Sequence, residues 1–226
     1  MKQKIKKITS RIFSRFFSLV SSGLILSALS LWVFFEIAEE VLEQETKALD
    51  TAILQHFQSW HTPVLNKIFL GVTFLGNPNF LILFTMVVSL VLIHYKQKAK
   101  LGILAIASGG AIGLNYWLKV LFSRSRPQLW QQIVDVNFKS FPSGHAMISL
   151  VVYGIVSYYL ITQFQASSKI IISLTSLLIF LIGLSRLYLG VHWPTDIIAG
   201  YAAGLVWLSA CIFSLKIAER RLKLLP

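Results

Sequence analysis

Apolar runs long enough to cross a bilayer recur along this chain, and they restrict its fold more than any other feature. A spanning helix needs about 20 predominantly apolar residues, and such windows lie near residues 18–37, 78–95, 100–121, 144–163, 169–187 and 195–215. The pattern predicts an all-α polytopic membrane protein with six transmembrane helices, since helices satisfy their backbone groups within one segment. Composition agrees: 55% of the 226 residues are hydrophobic and 13% charged, outside the ordinary soluble range. The first window follows Lys2, Lys4, Lys6, Lys7, Arg11 and Arg15, as in a signal peptide. Its apolar part is long, and no small-residue cleavage pattern follows, so an uncleaved anchor is expected.

Between the first two windows, residues 39–77 mix Leu42, Leu49, Ile53, Leu54, Phe57, Trp60, Leu65 and Ile68 with polar positions. The stretch is too polar to span and too apolar for a free loop. Short amphipathic interfacial helices are expected, broken at Pro63 and ended by Gly76-Asn77-Pro78. No repeat or linker divides the chain, so residues 1–226 are expected to form one integral membrane domain. Cys211 is the only cysteine, which excludes a disulfide framework within the chain. The net charge of +12 does not point to nucleic acid, because the cations flank apolar segments, where anionic membrane lipids are the natural partner.

Cytoplasmic loops carry the excess of Lys and Arg. With the N-terminus inside, six spans put Lys96, Lys98, Lys100, Lys169, Lys216, Arg220, Arg221 and Lys223 in the cytoplasm with the N-terminal cluster. Both termini are then cytoplasmic. Glu36, Glu39, Glu40, Glu43, Glu45, Asp50, Asp135 and Asp196 fall outside. Lys119, Arg124, Arg126, Lys139 and Arg186 also fall outside, against the trend. A charge kept near the membrane against the topological preference marks a functional site.

Three of those five belong to short motifs: Lys119-x6-Arg126-Pro127, Pro142-Ser143-Gly144-His145, and Ser185-Arg186-x5-His192-x3-Asp196. On six spans, they close the third helix, begin the fourth and close the fifth, so all meet at the outer membrane surface. Together they resemble the three signature motifs of the type 2 phosphatidic acid phosphatase superfamily, complete at every motif position across the C-terminal half. The resemblance implies a metal-independent phosphatase with six membrane helices. In size and spans the chain resembles the compact bacterial members that act on glycerophospholipid or prenyl phosphates.

The residues support that chemistry in their own right. A neutral imidazole attacks phosphorus well when a carboxylate holds one ring nitrogen, and Asp196, four residues beyond His192, is placed to orient it as the nucleophile. His145 is the available acid for the alkoxide leaving group and then the base for water. Ser143 and Gly144, at a helix start, offer a hydroxyl and a closely approachable backbone to an anion. Lys119, Arg126 and Arg186 neutralise the phosphoryl oxygens. Arg124 and Lys139 lie outside the motifs and are expected on a solvated rim, with headgroup contact the alternative. No metal or other cofactor is called for, and no obligate protein partner is evident.

Phosphatidylglycerophosphate is the first expected substrate and undecaprenyl pyrophosphate the second, with phosphatidic acid, lysolipid and sphingoid phosphates open. A non-catalytic lipid-binding protein would need the cations but not the paired histidines. A vanadate-dependent haloperoxidase shares the anion pocket, but six spans and short loops favour a lipid.

Overall fold

A computed structural model describes residues 23–224 except 132, 133, 135 and 137. The N-terminal basic cluster and Asp135 lie outside the described residues. Among the described residues, eight α-helices follow one another: α1 over residues 23–42, then α2 Lys47–Gln58, α3 Pro63–Leu75, α4 Pro78–His94, α5 Lys98–Phe122, α6 Gly144–Gln163, α7 Ser168–Tyr188 and α8 Pro194–Leu224. A 3₁₀ turn at Gln165–Ser167 precedes α7. No strand occurs among the described residues.

Among the described residues, four helical segments are long and apolar enough to cross a membrane: Lys98–Phe122, Gly144–Gln163, Gln165–Tyr188 and Pro194–Glu219. The expected span at 78–95 is more complex. α4 has 17 residues and meets the requirement only together with α3, from which it is bent by 47°. The predicted break points are nonetheless helix boundaries. Pro63 opens α3, whose first turn is capped by Thr62 Oγ1 accepting from Leu65 N at 3.2 Å. Asn77 caps α4, with Pro78 in its first turn, as proline's missing N–H permits. The first predicted window begins before the described residues, and the described part of α1 carries Glu36, Glu39 and Glu40.

α6 is the hub, packed on α5, α7 and α8. Its apolar window is 61% buried against 22% for the segment containing α7, so α7 turns most of its apolar surface outward. Between membrane helices, close van der Waals packing replaces the aqueous hydrophobic drive, and small residues make it possible here. A Cβ on Gly200 of α8 would stand 2.8 Å from the Ser143 carbonyl oxygen, and one on Gly204 would stand 3.1 Å from that of Met147. Of Gly109, Gly110 and Gly113 in α5, only at Gly110 would an added Cβ meet a neighbour, the Trp207 ring.

The bundle has chemically distinct ends. Lys100 lies 5.7 Å from the Tyr159 ring centroid and Lys216 5.9 Å from that of Tyr158, at the end where α6 finishes. The C-terminus of α5 and the N-termini of α6 and α8 lie at the opposite end, with the three motifs.

Candidate active site

The third motif is shaped by a turn and a helix start. Gly190, at φ +68°, turns the chain out of α7 with its Cα against the Trp130 indole, where a Cβ would collide. This left-handed conformation is one that glycine adopts without strain. Pro194 then starts α8 and puts Asp196 in its first turn. His192 Nδ1 stands 3.1 Å from Asp196 Oδ2, both residues being buried. The same oxygen accepts from Trp193 N at 2.9 Å and from Ser140 Oγ. A carboxylate so placed makes Nδ1 the donor and leaves Nε2 as the nitrogen with the lone pair. Burial, then the nearby charges of Lys119, Arg126, Arg186 and Arg124, holds His192 well below the ordinary histidine value of 6.5, so the imidazole is neutral.

The second motif starts α6 as the sequence predicts. Ser143 is the N-cap, its Oγ facing Ala146 N at 3.5 Å, and its own N–H donates to the Asp196 carbonyl at 2.9 Å. This last bond ties the motif to α8. Gly144 leaves space taken by Asn115, whose Oδ1 would be 2.9 Å from an added Cβ. Asn115 Nδ2 also donates to the Pro142 carbonyl at 3.2 Å. His145 lies under the end of α3, where a Cβ on Gly76 would come 3.0 Å from its Cδ2.

The cations occupy more specific positions than their motifs reveal. Arg126 Nη1 donates to the Val191 carbonyl at 2.6 Å and faces His192 Nε2 at 3.2 Å, so guanidinium and imidazole converge on one point. Arg186 is 2% exposed and donates through Nη1 to Thr73 Oγ1 at 2.7 Å, while its buried Nε–H has no partner among the described residues. An unpaired buried donor is costly unless an anion completes it. Lys119 Nζ donates to the carbonyls of Lys139 and Ser140 at 2.6 and 3.0 Å, gathering the loop before the second motif. Lys139 itself is exposed, as expected of a rim.

Arg124 corrects the sequence reading. Its side chain is 10% exposed and bridges two carboxylates, Asp196 Oδ1 at 2.7 Å and Asp50 Oδ2 at 2.8 Å, instead of standing in solvent. Asp50, Ser140, Thr73 and Thr195 were not singled out from sequence, and each bonds a motif residue or its immediate neighbour. Asp50 alone gave a readable signal: it shares the i, i+4, i+7 stripe of α2 with buried Leu54 and Phe57, where an acid is unexpected.

Residues 99–218 match the sequence profile described as the PAP2 superfamily. The phosphatidylglycerophosphatase B of Bacillus subtilis (strain 168) is 30% identical over 181 residues, 78% of this chain and 89% of that protein. An undecaprenyl-diphosphatase of Sulfolobus acidocaldarius is 34% identical over 131 residues, 54% of this chain and 58% of that protein. The crystal structure of a transmembrane PAP2-type phosphatidylglycerolphosphate phosphatase from B. subtilis superposes with a TM-score of 0.80 at 26% identity, covering 88% of this chain and 98% of that one. The structure of Aquifex aeolicus LpxE shares the fold, with a TM-score of 0.59 at 24% identity over 74% of this chain and 95% of that one.

Proposed function

Because the chain belongs to the PAP2 superfamily, we propose that its three motifs form one catalytic centre that hydrolyses a lipid phosphate through a phosphohistidine, within a single six-span domain of the cell membrane. The carrying observation is the buried His192–Asp196 pair, with Arg126 Nη1 3.2 Å from the Nε2 that would attack. His192 Nε2 attacks phosphorus as the bond to the leaving oxygen breaks. His145 gives that oxygen a proton. Water, deprotonated by His145, then attacks the phosphorus, the P–N bond breaks and inorganic phosphate leaves. Arg126 and the unpartnered Nε–H of Arg186 hold the phosphoryl oxygens, with Lys119 adding charge and Ser143-Gly144 the start of α6. No metal takes part in this scheme.

In this proposal both termini are cytoplasmic and the motifs lie outside, a reading supported by the basic end of the bundle being opposite the site. α2 and the loop before α6 then lie at the outer interface. A groove of about 240 Å³ between α4, α5 and α6, lined by Leu81, Ile82, Met86, Ile112, Ile148 and Val152, offers an apolar path for a lipid tail. It passes one turn of α6 below His145, so the lipid enters from the bilayer with its headgroup at the motifs.

Phosphatidylglycerophosphate is the preferred substrate. The supporting observation is the near full-length likeness to the B. subtilis phosphatase. Undecaprenyl pyrophosphate is the second reading, favoured by the archaeal diphosphatase likeness. Phosphate release by the detergent-purified protein should be measured across a panel of lipid phosphates with a chelator present. Phosphatidylglycerophosphate is expected to give the highest kcat/KM, and short-chain soluble analogues a much lower one, because tail binding contributes to the transition state. Preference for the prenyl pyrophosphate would replace the first substrate by the second. Equal efficiency without a tail, or a strict need for added magnesium, would contradict the proposal.

The state of His192 sets a pH dependence. An imidazole held below 6.5 stays neutral as pH falls through 6.5 and loses nucleophilicity only on reaching its lowered value. The sign for stability follows: the unfolded chain takes up a proton that folded His192 refuses, so this stabilisation is present above 6.5 and declines below it. The rate of phosphoenzyme formation should be followed between about pH 5 and 8 in the His145→Ala protein with an aryl phosphate, which removes the second catalytic histidine. The acid limb is expected below 6.5, and a limb centred above 7 would show that His192 is not held neutral.

A further inference from the structure

The buried charges around Asp196 exceed what orienting one imidazole requires. Asp50 is 1% exposed and Asp196 0%, with Arg124 between them. Arg124 Nη1 also donates to Thr195 Oγ1 at 2.8 Å. Thr195 in turn donates to Asp50 through its hydroxyl at 2.6 Å and its backbone N–H at 3.2 Å. Asp50 thus caps the start of α8 from α2, where an anion also suits the helix dipole. The Trp193 ring lies against the Arg124 guanidinium, 5.4 Å from centroid to Cζ.

We propose that Arg124 and Asp50 are positioning residues for the catalytic pair, so that α2 is a working part of the active site. The proposal rests on the phosphoryl-transfer reading above. The Asp196 carboxylate has two oxygens with separate duties. Oδ2 receives His192, Ser140 and Trp193 N, while Oδ1 receives Arg124. Without the Oδ1 donor the contacts at Oδ2 alone set the torsion of the carboxylate, a buried anion loses its charged partner, and the aim of His192 is held less firmly. Asp50 holds the other arm of the fork and so prevents Arg124 from swinging towards the phosphate. A planar guanidinium can grip two carboxylates through separate nitrogens, which a lysine ammonium on a single flexible stem does poorly. Both terminal nitrogens of Arg124 are engaged by Asp196, Thr195 and Asp50, whereas Arg186 keeps an unpartnered buried Nε–H among the described residues.

The test compares wild type, Asp50→Asn, Arg124→Lys, Arg124→Met and the double variant Asp50→Asn/Arg124→Met, each checked for a folded, monodisperse peak in detergent. Arg124→Met is expected to lower kcat and the rate of phosphoenzyme formation by about 100-fold, Asp50→Asn and Arg124→Lys by about 10-fold. KM and inhibition by inorganic phosphate should stay within about twofold, because the phosphate-facing cations remain. The double variant should be as slow as Arg124→Met. Recovery in the double variant would show only a structural charge pair, and weakened phosphate inhibition would make Arg124 a phosphate ligand; either overturns the proposal. If Arg124→Met does not fold, Asp50→Asn and Arg124→Lys decide by the same readouts, and kcat within twofold of wild type in both would refute it. An inactive, unlabelled wild type would instead refute the phosphatase reading.

Discussion

Replacing His145 with Ala is expected to lower kcat for a long-chain alkyl phosphate by about 10²- to 10⁴-fold, the range a positioned acid–base group contributes. An alkoxide is a poor leaving group and departs only as a proton reaches it. An aryl phosphate carries a leaving group that departs unaided, so its first step should survive. Water attack would still lack a base. The expected result is a burst of aryl alcohol equal to the amount of enzyme, followed by very slow turnover. His192→Ala should show no burst with any substrate. A burst from His192→Ala would reverse the two roles, and alkyl phosphate turnover by His145→Ala at the wild-type rate would show that His145 is not the acid.

Arg186→Lys should cost about 10²- to 10³-fold in kcat/KM although it conserves charge, comparable with removing one preorganised oxyanion donor. Arg186 reaches Thr73 with Nη1 and keeps a buried Nε–H without a partner. Its planar fork can hold Thr73 and a phosphoryl oxygen simultaneously, whereas a lysine has one nitrogen to divide between them. Thr73 belongs to α3, so the substitution also cuts a link between α3 and the site. Kinetics on the preferred lipid phosphate would check this, with thermal unfolding as the folding control. A loss under about threefold would mean that Arg186 serves only to join α7 to α3.

The three motifs were legible because they sit where sequence marks helix ends. Ser143 and Gly144 read as a helix start, and α6 begins there with Ser143 as its cap. The spacing of His192 and Asp196 gave their contact. What was hidden lies across sequence distance. Asp50 and Arg124 are 74 residues apart, and Thr73 and Arg186 are 113 apart, so no local pattern pairs them. Arg124 stood out as a cation against the charge trend, yet a lone arginine beside a motif reads equally well as solvated. The acid on the buried stripe of α2 was its missing partner. The bend between α3 and α4 was also hidden: Gly76-Asn77-Pro78 announces a helix end, not that the next helix continues within 47° of the last. Lys119 reads as a phosphate cation, while its nitrogen is engaged by two backbone carbonyls.

The most direct measurement of the central claim is the identity of the phosphorylated atom. Wild-type protein should be mixed with a radiolabelled lipid phosphate, quenched rapidly without acid and digested, and the labelled peptide sequenced. An acid-labile phosphoramidate on His192, absent from His192→Ala and accumulating in His145→Ala with an aryl phosphate, is the expected result. Label on His145, an acid-stable phosphoester, or full turnover by His192→Ala would contradict a phosphohistidine mechanism at this site.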